Sequence, residues 1–141
     1  MTRINVLPPA LLSDEHIGGE YKELPRAFTY VRKWVAKGYT PETLPFEIPP
    51  TYLLGKGHVK FCYNKCRFLA NRFAQLADER ITRGHNLNAK MFHSIMRDIR
   101  LIPECWMGDY KPGPEDFYLN MARVVRNCDY ESVLMELARE E

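Results

Sequence analysis

The sequence predicts an all-α fold, one domain over residues 1–141 with three main helices, the first kinked at Pro25, joined by long irregular connections. Two observations carry this expectation. Apolar residues recur at alternating steps of four and three over long stretches, the spacing that lines one face of an α-helix. No alternating apolar and polar run is long enough to suggest a sheet, and there is no internal repeat.

The first helix opens at Ser13, an N-cap residue followed by Asp14 and Glu15, whose charges suit the positive end of a helix dipole. From there Ile17, Tyr21, Leu24, Phe28, Val31 and Val35 form one apolar stripe that runs straight through Pro25. A proline in a regular helix interior removes a backbone hydrogen bond and costs about 3 kcal/mol, so a kink is expected there. Gly38 is the expected stop.

The segment 39–57, with Pro41, Pro45, Pro49, Pro50, Gly55 and Gly57, reads as an extended connection. A second helix is expected from Phe61 to Arg83, with Cys62, Cys66, Leu69, Phe73 and Leu76 on its apolar face and Gly84 as its stop. Residues 86–100 read as short helix and turn. After the loop "MGDYKPGPEDF", Pro114 begins a third helix through Phe117, Leu119, Met121, Val124 and Val125. Tyr130 to Leu137 would add a last turn or two.

Hydrophobic residues at 45% and charged residues at 27% are ordinary for a soluble globular chain. No apolar run is long enough for a membrane span, and the N-terminus lacks the basic and then apolar pattern of a signal peptide, so the expected location is the cytoplasm. The net charge of +2 is too small for basicity alone to announce a nucleic-acid binder. Its distribution says more. Lys56, Lys60, Lys65, Arg67 and Arg72 fall in a stretch without acids, whereas residues 129–141 hold five acids against Arg139.

Of the four cysteines, Cys62 and Cys66 lie one helical turn apart, with His58 one turn earlier. A structural zinc site needs a second close pair of ligands, which is missing, so reduced and partly buried thiols are expected and no metal or other cofactor is assigned.

Phosphate loops, dinucleotide-binding glycines, HExxH and GxSxG are all absent. What remains is positional. His16 and Glu23 are seven residues apart and therefore share one side of the first helix, with Glu20 between them; Lys22 and Arg26 are four apart and border that face. Spacing alone is equally the pattern of a solvated, ion-paired helix surface. At the N-terminus, the small residue Thr2 favours removal of Met1. The exposed α-amine, with an ordinary pKa of about 7.7–8.0, would be neutral in about a tenth or more of molecules at pH 7 and is a ready nucleophile toward an aldehyde-like carbon.

Taken in order, "MTRIN", a helix containing "HxxxEYKELPR", then "GKGHVKFCYNK" and "GDYKPG", resemble the pyrimidine dimer DNA glycosylase family of the T-even phage endonuclease V type. The likeness runs from Met1 to about Arg123. It implies a small, all-helical, metal-independent DNA repair enzyme that cuts the glycosidic bond of a damaged base and then nicks the strand at the abasic site. It implies further that the Thr2 amine forms a Schiff base with the sugar, that Glu23 is the essential carboxylate, and that Arg3, His16, Lys22, Arg26 and Arg123 contact the DNA. Lys22 stands where the typical member has arginine, keeping the charge without the planar fork. The partner would be duplex DNA carrying a damaged base or abasic site, and the protein would act as a monomer, in a host cell's cytoplasm or nucleoid if phage-encoded.

The end of the chain departs from the family. The typical member closes on the aromatic and basic run "WYKYYG"; this chain closes on "CDYESVLMELAREE". The preferred lesion is therefore open between a pyrimidine dimer and another damaged base, such as a ring-opened purine. A non-catalytic DNA-binding module of the same fold and a helical protein for an acidic partner are the rival readings.

Overall fold

A computed structural model describes residues 4–124, with Arg123 and Val124 described by backbone alone. Among these residues six α-helices follow one another: α1 (Asp14–Glu23), α2 (Pro25–Ala36), α3 (His58–Phe61), α4 (Cys66–Thr82), α5 (Ala89–Arg100) and α6 (Pro114–Val124). Among the described residues there is no strand beyond an isolated bridge between Lys65 and Met107.

The break at Pro25 is real, and the chain arranges it cheaply. Leu24 keeps helical dihedrals and its N–H still reaches the Glu20 carbonyl at 2.8 Å. Pro25 then sits at the first position of α2, where its missing N–H would have no helical partner anyway. The expected stripe faces the core: Ile17, Tyr21, Leu24, Phe28 and Val31 are buried, and Val35, its last member, is partly buried against that core. α2 ends as expected, with the Gly38 N–H on the Val35 carbonyl and the Tyr39 N–H on the Trp34 carbonyl, and α4 ends the same way through Gly84 and His85.

The second predicted helix needs correction. Residues 61–83 are not one element; the helical turn α3 stops at Phe61, residues 62–65 form a turn, and α4 starts at Cys66. The cause is a long-range backbone contact: the Gly108 N–H donates to the Asn64 carbonyl at 3.1 Å, and the Gly108 carbonyl accepts from the Arg67 N–H at 3.1 Å. A β-carbon on Gly108 would collide with that Asn64 carbonyl. Gly108→Ala should therefore lower stability by about 1–3 kcal/mol in a denaturant titration, since the obstacle is backbone and cannot swing away.

Residues 86–100 also exceed expectation. Asn88 caps α5 by accepting from the Met91 N–H at 3.1 Å, and three full turns follow. α6 opens at Pro114 as expected, and Asp116 reaches back to accept from the Gly113 N–H at 3.0 Å. Tyr130–Leu137 lies outside the described residues.

α4 is the central helix. α1 packs along it, with Tyr21 and Phe73 stacked at 4.9 Å between ring centres, and α2 rests on α5. Trp106, Phe61, Leu69 and Leu76 complete the core, each essentially without solvent exposure. No helix among the described residues is long and apolar enough to cross a membrane.

Candidate active site

The N-terminal segment is held over the helices by its backbone. The Ile4 N–H donates to His58 Nε2 at 2.8 Å, and the Ile4 carbonyl accepts from the Tyr52 hydroxyl at 2.7 Å. Asn120 donates to the same hydroxyl at 3.0 Å and to the Asp116 carbonyl at 2.7 Å, so α6 joins the grip. Burial is the main cause that raises the Tyr52 phenol above its ordinary range, which keeps it a donor. Leu7 is fixed at both ends: its N–H donates to Asn5 Oδ1 at 2.7 Å, and its carbonyl accepts from Arg72 at 2.6 Å.

Arg72 also closes a two-pronged ion pair on Glu20, at 2.8 and 3.0 Å, with both side chains only 4% exposed. This changes the reading of α1. Glu20, expected on the same face as His16 and Glu23, is a core carboxylate tied to α4. Glu23, the last residue of α1, stays half-buried at the junction with α2, where Lys22 and Arg26 are exposed on either side of it in sequence. His16 is half-buried two turns earlier, its Nδ1 in hydrogen-bond contact with the Ser13 hydroxyl at 2.9 Å. Two turns of helix put His16 and Glu23 about 11 Å apart along one side of α1.

The acid-free stretch 56–72 does not form one basic surface. Arg72 is buried; Arg67 pairs with Glu104 at 2.7 Å; the Lys65 ammonium donates to the Phe61 carbonyl at 2.9 Å and lies 3.9 Å from the centre of the Phe61 ring. Lys56 and Lys60 are exposed with no ion pair among the described residues, and Lys60 rests over Phe46.

His58 is no metal ligand here, because both ring nitrogens are engaged: Nε2 accepts from Ile4 and Nδ1 donates to the Leu53 carbonyl at 2.8 Å. Burial pushes the Cys62 and Cys66 thiols up to about 12, so neither supplies a thiolate near neutral pH.

A feature the sequence did not announce is a cleft of about 430 Å³ between residues 5–9, α4 and the loop into α6. Asn5, Phe68, Gln75, Asp109, Tyr110 and Phe117 are among its lining. The "GDYKPG" block supplies one wall, which is the one signal that could have located it. Of the described site residues expected from the sequence, His16, Lys22, Glu23 and Arg26, none lines this cleft. Thr2, Arg3 and the side chain of Arg123 lie outside the described residues.

Residues 1–93 match the family described as pyrimidine dimer DNA glycosylase. The match takes in the N-terminal block, α1, the α1–α2 junction and the "GKGHVKFCYNK" turn, and it stops short of "GDYKPG" and Arg123. It covers well over half of the chain, and on that extent the chain belongs to the pyrimidine dimer DNA glycosylase family.

Proposed function

We propose that this protein is a bifunctional repair enzyme that removes damaged bases from duplex DNA, pyrimidine dimers foremost, and then nicks the strand at the abasic site through an imine on Thr2. The observation that carries the reading is the division between two carboxylates on one helix. Glu20 is buried in the core against Arg72, and Glu23, three residues on, is half-buried at a proline break flanked by exposed Lys22 and Arg26. A carboxylate beside cations at a helix break suits a reaction that passes through a cationic sugar near phosphates.

The chemistry balances without a metal. With Met1 removed, the Thr2 amine nitrogen bonds to the anomeric carbon as the glycosidic bond breaks, and the base leaves with the bonding pair and takes up a proton. Loss of the amine proton and opening of the sugar ring give a protonated imine. Its positive charge acidifies the adjacent C2′ hydrogen; removal of that proton sends electrons through a new double bond and expels the phosphate at C3′. Glu23 stabilises the cation and relays these protons. Arg3, His16, Lys22, Arg26 and Arg123 hold the strand.

The test uses the full-length protein, a duplex with a single abasic site, borohydride and a chelator. A trapped covalent adduct that disappears when the α-amine is blocked supports the proposal. No adduct from protein shown to lack Met1 would overturn the lyase step and leave a DNA-binding module. Duplexes with one cyclobutane dimer or one ring-opened purine then identify the base.

Binding makes its own prediction. A side chain that neutralises one phosphate contributes about 0.9 to the slope of log affinity against log salt. Arg26→Gln should flatten that slope by about 0.9 and weaken binding to damaged and undamaged duplex alike, as measured by fluorescence anisotropy across a salt series.

A further inference from the structure

We propose that His58 is a positioning residue for the N-terminal nucleophile: its neutral ring, through Nε2, fixes the backbone of Ile4 and thereby the place from which the Thr2 amine reaches the sugar. The inference rests on the amine mechanism proposed above and adds to it a residue that neither touches DNA nor carries a proton in the reaction.

Three observations support it. First, the tautomer is dictated. An amide N–H can only donate, so Nε2 accepts from Ile4, and the proton resides on Nδ1, which donates to the Leu53 carbonyl. Second, the ring is itself held in place. It is 2% exposed, lies edge-on to Tyr52 with ring centres 5.6 Å apart, and follows Gly57, whose left-handed conformation (φ 92°) starts α3 at His58. Third, the grip falls close to the N-terminus. Two residues of extended chain span at most about 7 Å, so whatever fixes Ile4 limits how far the second residue can stray. Tyr52 holds the Ile4 carbonyl, so the residue is fixed on both its peptide groups.

Asparagine and glutamine divide the two functions of the ring. An asparagine amide reaches roughly as far as Nδ1 and can keep the bond to Leu53; a glutamine carbonyl reaches roughly as far as Nε2 and can keep the acceptor for the Ile4 N–H. His58→Gln and His58→Asn are compared in the full-length protein for borohydride trapping rate at saturating abasic duplex, for affinity for that duplex without borohydride, and for hydrogen exchange at the Ile4 amide. A misplacement of about 1 Å can cost about 10²-fold in rate, so His58→Asn should trap at least about tenfold more slowly with unchanged affinity and a faster-exchanging Ile4 amide. His58→Gln should stay near wild type in all three. If both histidine variants fold poorly, Tyr52→Phe, which removes the hydroxyl shared by the Ile4 carbonyl and Asn120, should show the same slow trapping at unchanged affinity.

Equal trapping rates for the asparagine and glutamine variants, per folded molecule, would overturn the positioning role while leaving the amine mechanism standing. So would a Tyr52→Phe protein that traps at the wild-type rate. Absence of an adduct with wild-type protein lacking Met1 would overturn both, since there would be no nucleophile to position.

Discussion

Arg72→Met should cost about 3–5 kcal/mol of stability, the largest loss expected from any single substitution in the ion pairs described. The side chain is 4% exposed and supplies both donors to Glu20 and one to the Leu7 carbonyl. Methionine fills a similar volume, so the loss is not a cavity. It comes from a carboxylate left in the core without its cation and from an orphaned carbonyl. Glu20→Leu combined with Arg72→Met removes both charges and should recover a large part of the deficit, because a buried pair contributes little net stability over apolar residues that pack as well. Urea titrations of the wild type, both single variants and the double variant form the cycle. If Arg72→Met costs under about 1 kcal/mol, as exposed pairs do, the pair does not tie α1 to α4. A double variant no better than the sum of the singles would place the loss in packing instead of charge.

That pair also shows what the sequence allowed and what it hid. The stripe Ile17, Tyr21, Leu24, Phe28, Val31 and Val35 was legible because burial of one helix face imposes the period directly, and all but the partly buried Val35 are in the core. Glu20 and Arg72 were read as surface charges because charge usually means solvent. Yet each occupies a core phase: 17, 20, 21 and 24 along α1 and its C-cap, and 69, 72, 73 and 76 on α4, both at steps of three, one and three. Opposite charges at core positions of two packed helices were a recoverable signal. The same spacing, Phe92, Ile95, Met96 and Ile99, runs through α5, although residues 86–100 read from the sequence only as short helix and turn. The turn at 62–65 was different. Cys62 and Cys66 suit one helical face locally, and only the backbone contact of Asn64 with Gly108, far along the chain, stops the helix there. The cleft was hidden for the same reason, since its walls come from three distant segments. At the α1–α2 junction the break at Pro25 was legible from position; the grip on Ile4 by Tyr52, His58 and Asn120 was not, because nothing local marks a histidine as a backbone acceptor.

Glu23→Gln should separate chemistry from binding more sharply than any other substitution on α1. Glutamine keeps the shape and can still accept a hydrogen bond, but it offers no negative charge to a cationic sugar and cannot carry a proton between intermediates. General acid–base assistance is worth about 10²–10⁴-fold, so trapping and strand nicking at saturating abasic duplex should fall by at least about 10²-fold. Affinity should hold or rise slightly, since a negative charge is removed from a surface flanked by Lys22 and Arg26 that is proposed to face phosphates. Stability should change less than with Glu20→Gln, because Glu23 is half-buried whereas Glu20 lies in the core against Arg72. The contrast with the neighbouring carboxylate makes the test decisive. Glu20→Gln should lose stability, and trapping only in proportion to the unfolded fraction; Glu23→Gln should lose trapping while remaining folded. A Glu23→Gln protein that traps within about threefold of wild type would leave the acid–base contribution of this carboxylate below its usual range and remove Glu23 from the mechanism.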